Sequence, residues 1–303
     1  MTHKTKTDED QTTRREEARI RALVEDVEAD FAERQKERAA LEREWELDMN
    51  FLSGNQYCGI NSAGEIEEEE REYGWQPKRV FNRIAPTIEL RCSRLARIRP
   101  ALSVRALSED EADKRAAALS GAILAAAGER AGLDDALSAA TVWSETCGTA
   151  FYKVVWDNSA GDVLGKTEEG ENVCAGDVNV MALSPFEIYP YSLSEESIEA
   201  QPSIIHARAV SVQDIFAAYG VKLAGRDIEE FALSPCAACG TQGGRIRCKR
   251  RGYEVVIERY SRPAADMPEG RLTAVAGGVL LYDGPLPYIN GENGARAYPF
   301  IKQ

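Results

Sequence analysis

Residues 74–106 read GWQPKRVFNRIAPTIELRCSRLARIRPALSVRA, and this stretch sets how the rest of the chain is parsed. It opens in an aromatic turn, passes through Phe81, Asn82 and Arg83, and becomes a periodic helix. The helix must stop at Arg99-Pro100, since proline lacks the amide proton and pushes the preceding residue toward extended backbone. Pro86 agrees with a helix starting near Asn82 or Ala85, because a proline in the first turn removes no ladder bond. At about 100° per residue, Ile84, Ile88, Cys92 and Leu95 share one side, whereas Arg83, Arg94 and Arg97 gather on the other. A short apolar strand over 102–106 is expected next. Residues 78–105 hold eight basic side chains, Arg91 and Arg99 among them, against one acid, Glu89. Two kinds of partner fit such a concentration: acidic helices, in this chain or in another subunit, and phosphate groups.

Upstream, residues 1–13 are too polar to bury anything and read as a disordered arm. Residues 14–52 are rich in Ala, Glu, Arg and Leu without glycine or proline, which predicts one long helix or two nearly collinear ones. Ile20, Leu23, Val24, Val27 and Phe31 form an apolar stripe that thins between Ala32 and Ala40 and resumes with Leu41, Trp45, Met49 and Leu52. Such a stripe suits packing on a core or contact with a neighbouring subunit. Gly54 stands where a helix C-terminus wants glycine. Residues 58–73, rich in glutamate, read as a solvated loop; they lack the spaced Asp/Asn and glycine of a calcium loop.

Downstream, Ser108 followed by Glu109, Asp110 and Glu111 is a helix start with negative charge at its favourable end. The alanine-rich run that follows reaches about Glu129, and another helix is expected over 133–147, between Gly132 and Gly148. At Thr149 the period changes: residues 150–156, AFYKVVW, have the β-branched and aromatic content of a buried strand, with 157–161 as its turn. Residues 177–183 alternate by twos and run into Ser184-Pro185-Phe186-Glu187-Ile188-Tyr189-Pro190. A second extended piece over 203–210 leads through Ser211 into a helix over 212–219 that Gly220 ends. Residues 222–251 read as loop and short helix, 253–260 as a strand, and 271–276 with 279–282 as a hairpin through Gly277-Gly278. The fold class expected is α+β: long N-terminal helices followed by a β-rich domain with short helices. The divisions are an arm over 1–13, a helical region over 14–148 and a β-rich domain over 149–303.

The chain has 303 residues and a formal charge of −13, which disfavours nonspecific wrapping of DNA by the protein as a whole. No signal peptide opens it and no run approaches the roughly 20 apolar residues that span a bilayer, so a soluble, membrane-free protein is expected. Seven cysteines, an odd number at irregular spacing, suit free thiols in a reducing cytoplasm. Cys236, Cys239 and Cys248 offer three thiolates where a closed zinc site needs four ligands, and the two histidines, His3 and His206, are far away in sequence. With the basic run 245–251 beside them, these cysteines read as a zinc- or nucleic-acid-binding module, as a redox pair, or as unreacted thiols. There is no Gly-rich phosphate loop, nucleophile elbow or paired histidine, so no catalytic residue or cofactor is assigned and an enzyme, for instance a nuclease, finds little support.

Four segments in this order resemble one family: residues 45–57 (WELDMNFLSGNQY), 80–100 (VFNRIAPTIELRCSRLARIRP), the strand over 149–156 after a glycine-ended helix, and 183–189 (LSPFEIY). Together they resemble the N-terminal part of the portal protein, or head-to-tail connector, of tailed bacteriophages, of podovirus-like type. The likeness spans roughly residues 40–303 and is carried by the linear order of individually weak motifs. It implies a homo-oligomeric ring of about twelve subunits at one capsid vertex, with the two longer regions above forming a wing. Such a ring is the channel for genome packaging and ejection. Its partners are terminase, scaffold or capsid, and tail adaptor proteins, and double-stranded DNA passes through without sequence-specific binding. The implied location is the virion, and the host cytoplasm during assembly. The stem and clip of such proteins would follow near Gln303. On this reading Arg83, Arg91, Arg94, Arg97 and Arg99 belong to a subunit interface or a DNA contact, with the interface favoured for an acidic chain.

Overall fold

The computed structural model describes residues 2–68, 73, 75, 77, 79–98, 103–167, 170, 172–231, 247–289 and 296–303, with side chains at all of these except 2–13, 230, 231, 247 and 248. It is 39% helical and 30% strand, an α+β protein with a long N-terminal helix. That helix, α1 (Thr2–Ser53), has 52 residues and is about 78 Å long at the usual rise. It begins at Thr2 and so includes residues 2–13, where a disordered arm was expected. With no glycine or proline on the way, extending an existing helix costs far less than nucleating one. Residues 14–22 are exposed all round, and burial begins at Val24.

After α1 the chain makes a hairpin, β1 (Cys58–Ile60) with β2 (Ile66–Glu68), where a plain loop was expected. Asn61 closes it by accepting the amides of Ala63 and Glu65 on its side-chain oxygen, an Asx turn that competes well with open loop. Then come α2 (Ile84–Leu95), α3 (Glu111–Arg130) and α4 (Leu133–Cys147). The strand expected over 102–106 is not formed where the structure describes it: residues 103–106 run without a ladder. Gly148 ends α4 at φ 75°, a left-handed conformation that costs glycine little.

The strands that follow are β3 (Phe151–Asp157), β4 (Val163–Lys166), β5 (Asn172–Cys174), β6 (Asp177–Leu183), β7 (Ile188–Pro190), β8 (Ser203–Ser211), β9 (Arg226–Phe231), β10 (Arg247–Ser261), β11 (Arg271–Ala276), β12 (Val279–Gly284) and β13 (Phe300–Lys302). A 3-10 turn, Pro185–Glu187, precedes β7, and α5 (Val212–Tyr219) follows β8, capped by Ser211 Oγ on the Asp214 amide. A six-stranded antiparallel sheet has the order β12-β11-β10-β8-β7 with β9 also on β10, and a three-stranded one has the order β13-β3-β6. β9 corrects the expected loop and short helix over 226–231. Its sequence is a weak strand former, and pairing with the first half of β10 decides its conformation.

The two faces of β10 place everything else. Val255 and Ile257 look toward α1, in a core shared by Val24, Val27, Ile205 and Val275. Val256 looks to the opposite side, where α5 packs through Ile215, and Tyr260 meets the small sheet through Phe151 and Phe300. The long helix and the strands thus bury each other rather than forming separate cores. Among the described residues no helix is long and apolar enough to cross a membrane.

Candidate functional site

The arginine helix α2 lies at the surface. Asn82 positions its start: its side-chain oxygen accepts the amides of Ile84 and Ala85, and its amide nitrogen donates to the carbonyl of Leu52 at 2.8 Å, tying α2 to the end of α1. Ala85 is the residue that α2 buries; Ile84 and Leu95, expected on a packed side, are 40% and 41% exposed. Arg91 pairs with Glu145 of α4, through Nε and, at 3.0 Å, through Nη2. Hydrogen bonding to that guanidinium holds the Glu145 carboxyl below its usual range. Arg91 is therefore engaged within the chain. Arg83, Arg94 and Arg97 are exposed and have no carboxylate partner among the described residues. Arg99 lies outside the described residues.

Cys236 and Cys239 lie outside the described residues, and Cys248 is on β10, opposite Glu230 of β9. Cys58, Cys92, Cys147 and Cys174 are free thiols.

Two arginines that the sequence reading passed over prove central. Arg34 and Arg38 occupy the part of α1 where the apolar stripe thins, and both are buried. Arg38 donates to the carbonyls of Pro185 at 3.0 Å, of Phe186 at 2.8 Å and of Ile188, while Glu42 one turn on accepts from its other side. Its guanidinium carbon stands 3.5 Å from the centroid of the Tyr189 ring. Arg34 donates to the carbonyls of Tyr189 and Ser203 and to Ser203 Oγ at 2.6 Å, with Asp30 behind it. Together they satisfy the carbonyls left open where the 3-10 turn ends and β7 begins. The signal existed: Val24, Val27, Phe31, Arg34, Arg38, Leu41, Trp45, Met49 and Leu52 keep the three- and four-residue spacing unbroken once arginine is allowed in the stripe.

The second buried feature joins the two sheets. Lys153 of β3 donates to Glu258 of β10 at 2.5 Å, Tyr260 donates to the same carboxylate oxygen at 2.8 Å, and His206 Nδ1 of β8 lies 3.1 Å from it. His206 Nδ1 is also 3.1 Å from Lys153 Nζ, and its Nε2 is 3.4 Å from Glu187. Phe300 packs edge-on against both His206 and Tyr260. Burial alone would push the Glu258 carboxyl up, but the Lys153 charge and hydrogen bonds from His206 and Lys153 outweigh it and hold that group well below the usual carboxylate range. Burial pulls Lys153 down against the attraction of Glu258, while burial and the Glu258 charge raise Tyr260 well above a free phenol. The geometry, an ammonium on a carboxylate, supports an ionised pair, so the Glu258 direction is the one that describes the neutral-pH state. Lysine in the apolar run AFYKVVW and glutamate in VVIERY were the sequence signs of this pairing.

A groove of 710 Å³ runs between α1 and the large sheet, lined by Phe31, Tyr189 and Ile257 with Glu28, Glu187 and Arg208. Glu187 thus links the groove to His206, but Lys153, His206, Glu258 and Tyr260 do not line it. The cluster is arranged as a joint between sheets, with its four side chains buried. No protein-family model matches the chain, and no curated protein matches it.

Proposed function

We propose that this chain is a structural subunit of a phage portal-type ring, non-enzymatic and without a cofactor. The ring would be the conduit for genome packaging and ejection at a capsid vertex, and the docking point for terminase, scaffold or capsid and tail adaptor. The observation that carries the reading is the α2 face. Arg83, Arg94 and Arg97 stand in water without carboxylate partners among the described residues, on a chain of net charge −13. A basic face on an acidic subunit favours head-to-tail contact with an identical neighbour, and such contacts close into rings when the rotation permits. The surplus acid of the remaining surface repels a duplex, keeping it mobile in a channel. The order of the four segments that resemble portal proteins supports the same reading, as does the arginine clamp that builds α1 rigidly onto residues 185–189.

Electron microscopy of the purified chain over a range of salt concentrations tests it. Ring particles that Arg94→Glu with Arg97→Glu disperses, and that high salt weakens, are expected. A chain that stays monomeric at every salt concentration would refute the reading, and rings indifferent to the charge reversal would refute the pairing role of α2.

A further inference from the structure

The 20 residues of α3 include none that is buried. Its middle, AAALSGAILAAA over 116–127, is apolar or small on every side, and Leu119 and Ile123 are 63% and 58% exposed. A helix apolar all round is ordinarily covered. Here α3 is held at its C-terminal end, where Arg130 Nε donates to Asp177 at 2.6 Å and Gly128 meets the side chain of Leu133. The rest stands off the body; the whole helix is about 30 Å long at 1.5 Å per residue.

Three features say what covers it. A wall of alanine with Gly121, beside which nothing lies within 4 Å, admits another helix at close range. The entry to α3 is acidic: Glu109 and Asp110 have no cationic partner among the described residues. Arg83, Arg94 and Arg97, on and beside α2, are the matching cations, and they have no carboxylate partner among the described residues. A second copy of this chain therefore carries both complementary halves, an acidic helix entry and a basic helix face, each flanked by exposed apolar residues such as Leu119 and, beside α2, Ile98.

We infer that α3 is an intersubunit helix, covered by a second copy of this chain whose α2 arginines face the Glu109 and Asp110 entry. The choice of a second copy as partner rests on the ring reading above, but the contact needs no conduit and no DNA. Light scattering after size exclusion, with far-ultraviolet dichroism to confirm helix content, reads it out. The full chain is expected to self-associate at micromolar concentrations, and Leu119→Glu with Ile123→Glu to leave folded monomer. Arg94→Glu with Arg97→Glu, and separately Glu109→Arg with Asp110→Arg, are each expected to dissociate. Mixing these two charge variants in equal amounts is expected to restore the assembled mass, since each then supplies what the other lacks. A wild-type chain that is monomeric, a Leu119/Ile123 variant of unchanged mass, or charge variants whose mixture stays apart would each overturn the inference. Association with lipid vesicles in place of self-association would do the same. Rings that ignore all these variants would overturn it while leaving the ring reading intact; dimers or filaments that depend on α3 would support it and overturn the ring.

Discussion

Arg38 Nη1 donates to the carbonyl of Pro185, 147 residues further along the chain, and the same guanidinium caps Phe186 and Ile188. Removing it leaves these carbonyls without the donor that the fold supplies. Arg38→Ala is expected to cost about 3 kcal/mol or more of stability, and Arg38→Lys to recover only part, because an ammonium cannot present a planar fork to several acceptors. The shift in denaturant midpoint at constant slope measures both.

Lys153 and Glu258 form a buried pair that neither partner tolerates alone. Glu258→Leu leaves an uncompensated ammonium beside His206, for an expected loss of about 3–5 kcal/mol. Adding Lys153→Met should return much of that, because an apolar pair of similar volume replaces the ionic one. A double-mutant cycle gives the coupling directly, and simple additivity of the two losses would show that the contact is not an energetic unit.

Acid should unfold the protein partly through the same carboxylate. The folded pKa of Glu258 lies well below the usual carboxylate range, so its contribution is fully present above the ordinary glutamate pKa and disappears as pH falls through the depressed one. Stability measured between pH 6 and pH 3 should decline, and in Glu258→Gln the decline should be shallower. Equal slopes in the two proteins would assign acid sensitivity to other carboxylates.

The Cys147 thiol is pushed up to about 12, by burial first and by the charge of Asp48 second. Only the thiolate alkylates, so iodoacetamide at pH 8 should leave Cys147 unmodified in the native protein and modify it after denaturation. Cys174, half-buried on β5, should react in both states. Peptide mass spectrometry distinguishes the sites, and rapid native labelling of Cys147 would mean that the end of α4 opens readily.

Local chemistry made much of the fold readable. Gly132, Gly148 and Gly220 each sit at positive φ, and the bounds of α4 and α5 agree with those expected between Gly132 and Gly148 and between Ser211 and Gly220. The hairpin of β11 and β12 turns at Gly277-Gly278 as the spacing required. The failures share a cause. β9 has no strand signal of its own, the apolar look of residues 103–106 is not enough without a partner strand, and α2 buries far less than its periodicity suggested. Periodicity reports which side of a helix is apolar, not whether anything lies against it.

The sequence by itself determined the elements: a helix without breakers at the N-terminus, glycine-ended helices, alternating strands, and a concentration of arginine on α2 in an acidic chain. Those follow from backbone sterics, capping and side-chain period, which act over a few residues. Tertiary structure alone decided what Arg34, Arg38, Lys153, His206 and Glu258 are for. Each reads as a surface or solvated residue by type, and each is buried because its partner is supplied from elsewhere in the chain, from β7 and β8 for the arginines and from across two sheets for the cluster. A charge leaves water only when fixed acceptors replace the hydration it loses, and that replacement exists only once distant segments have met.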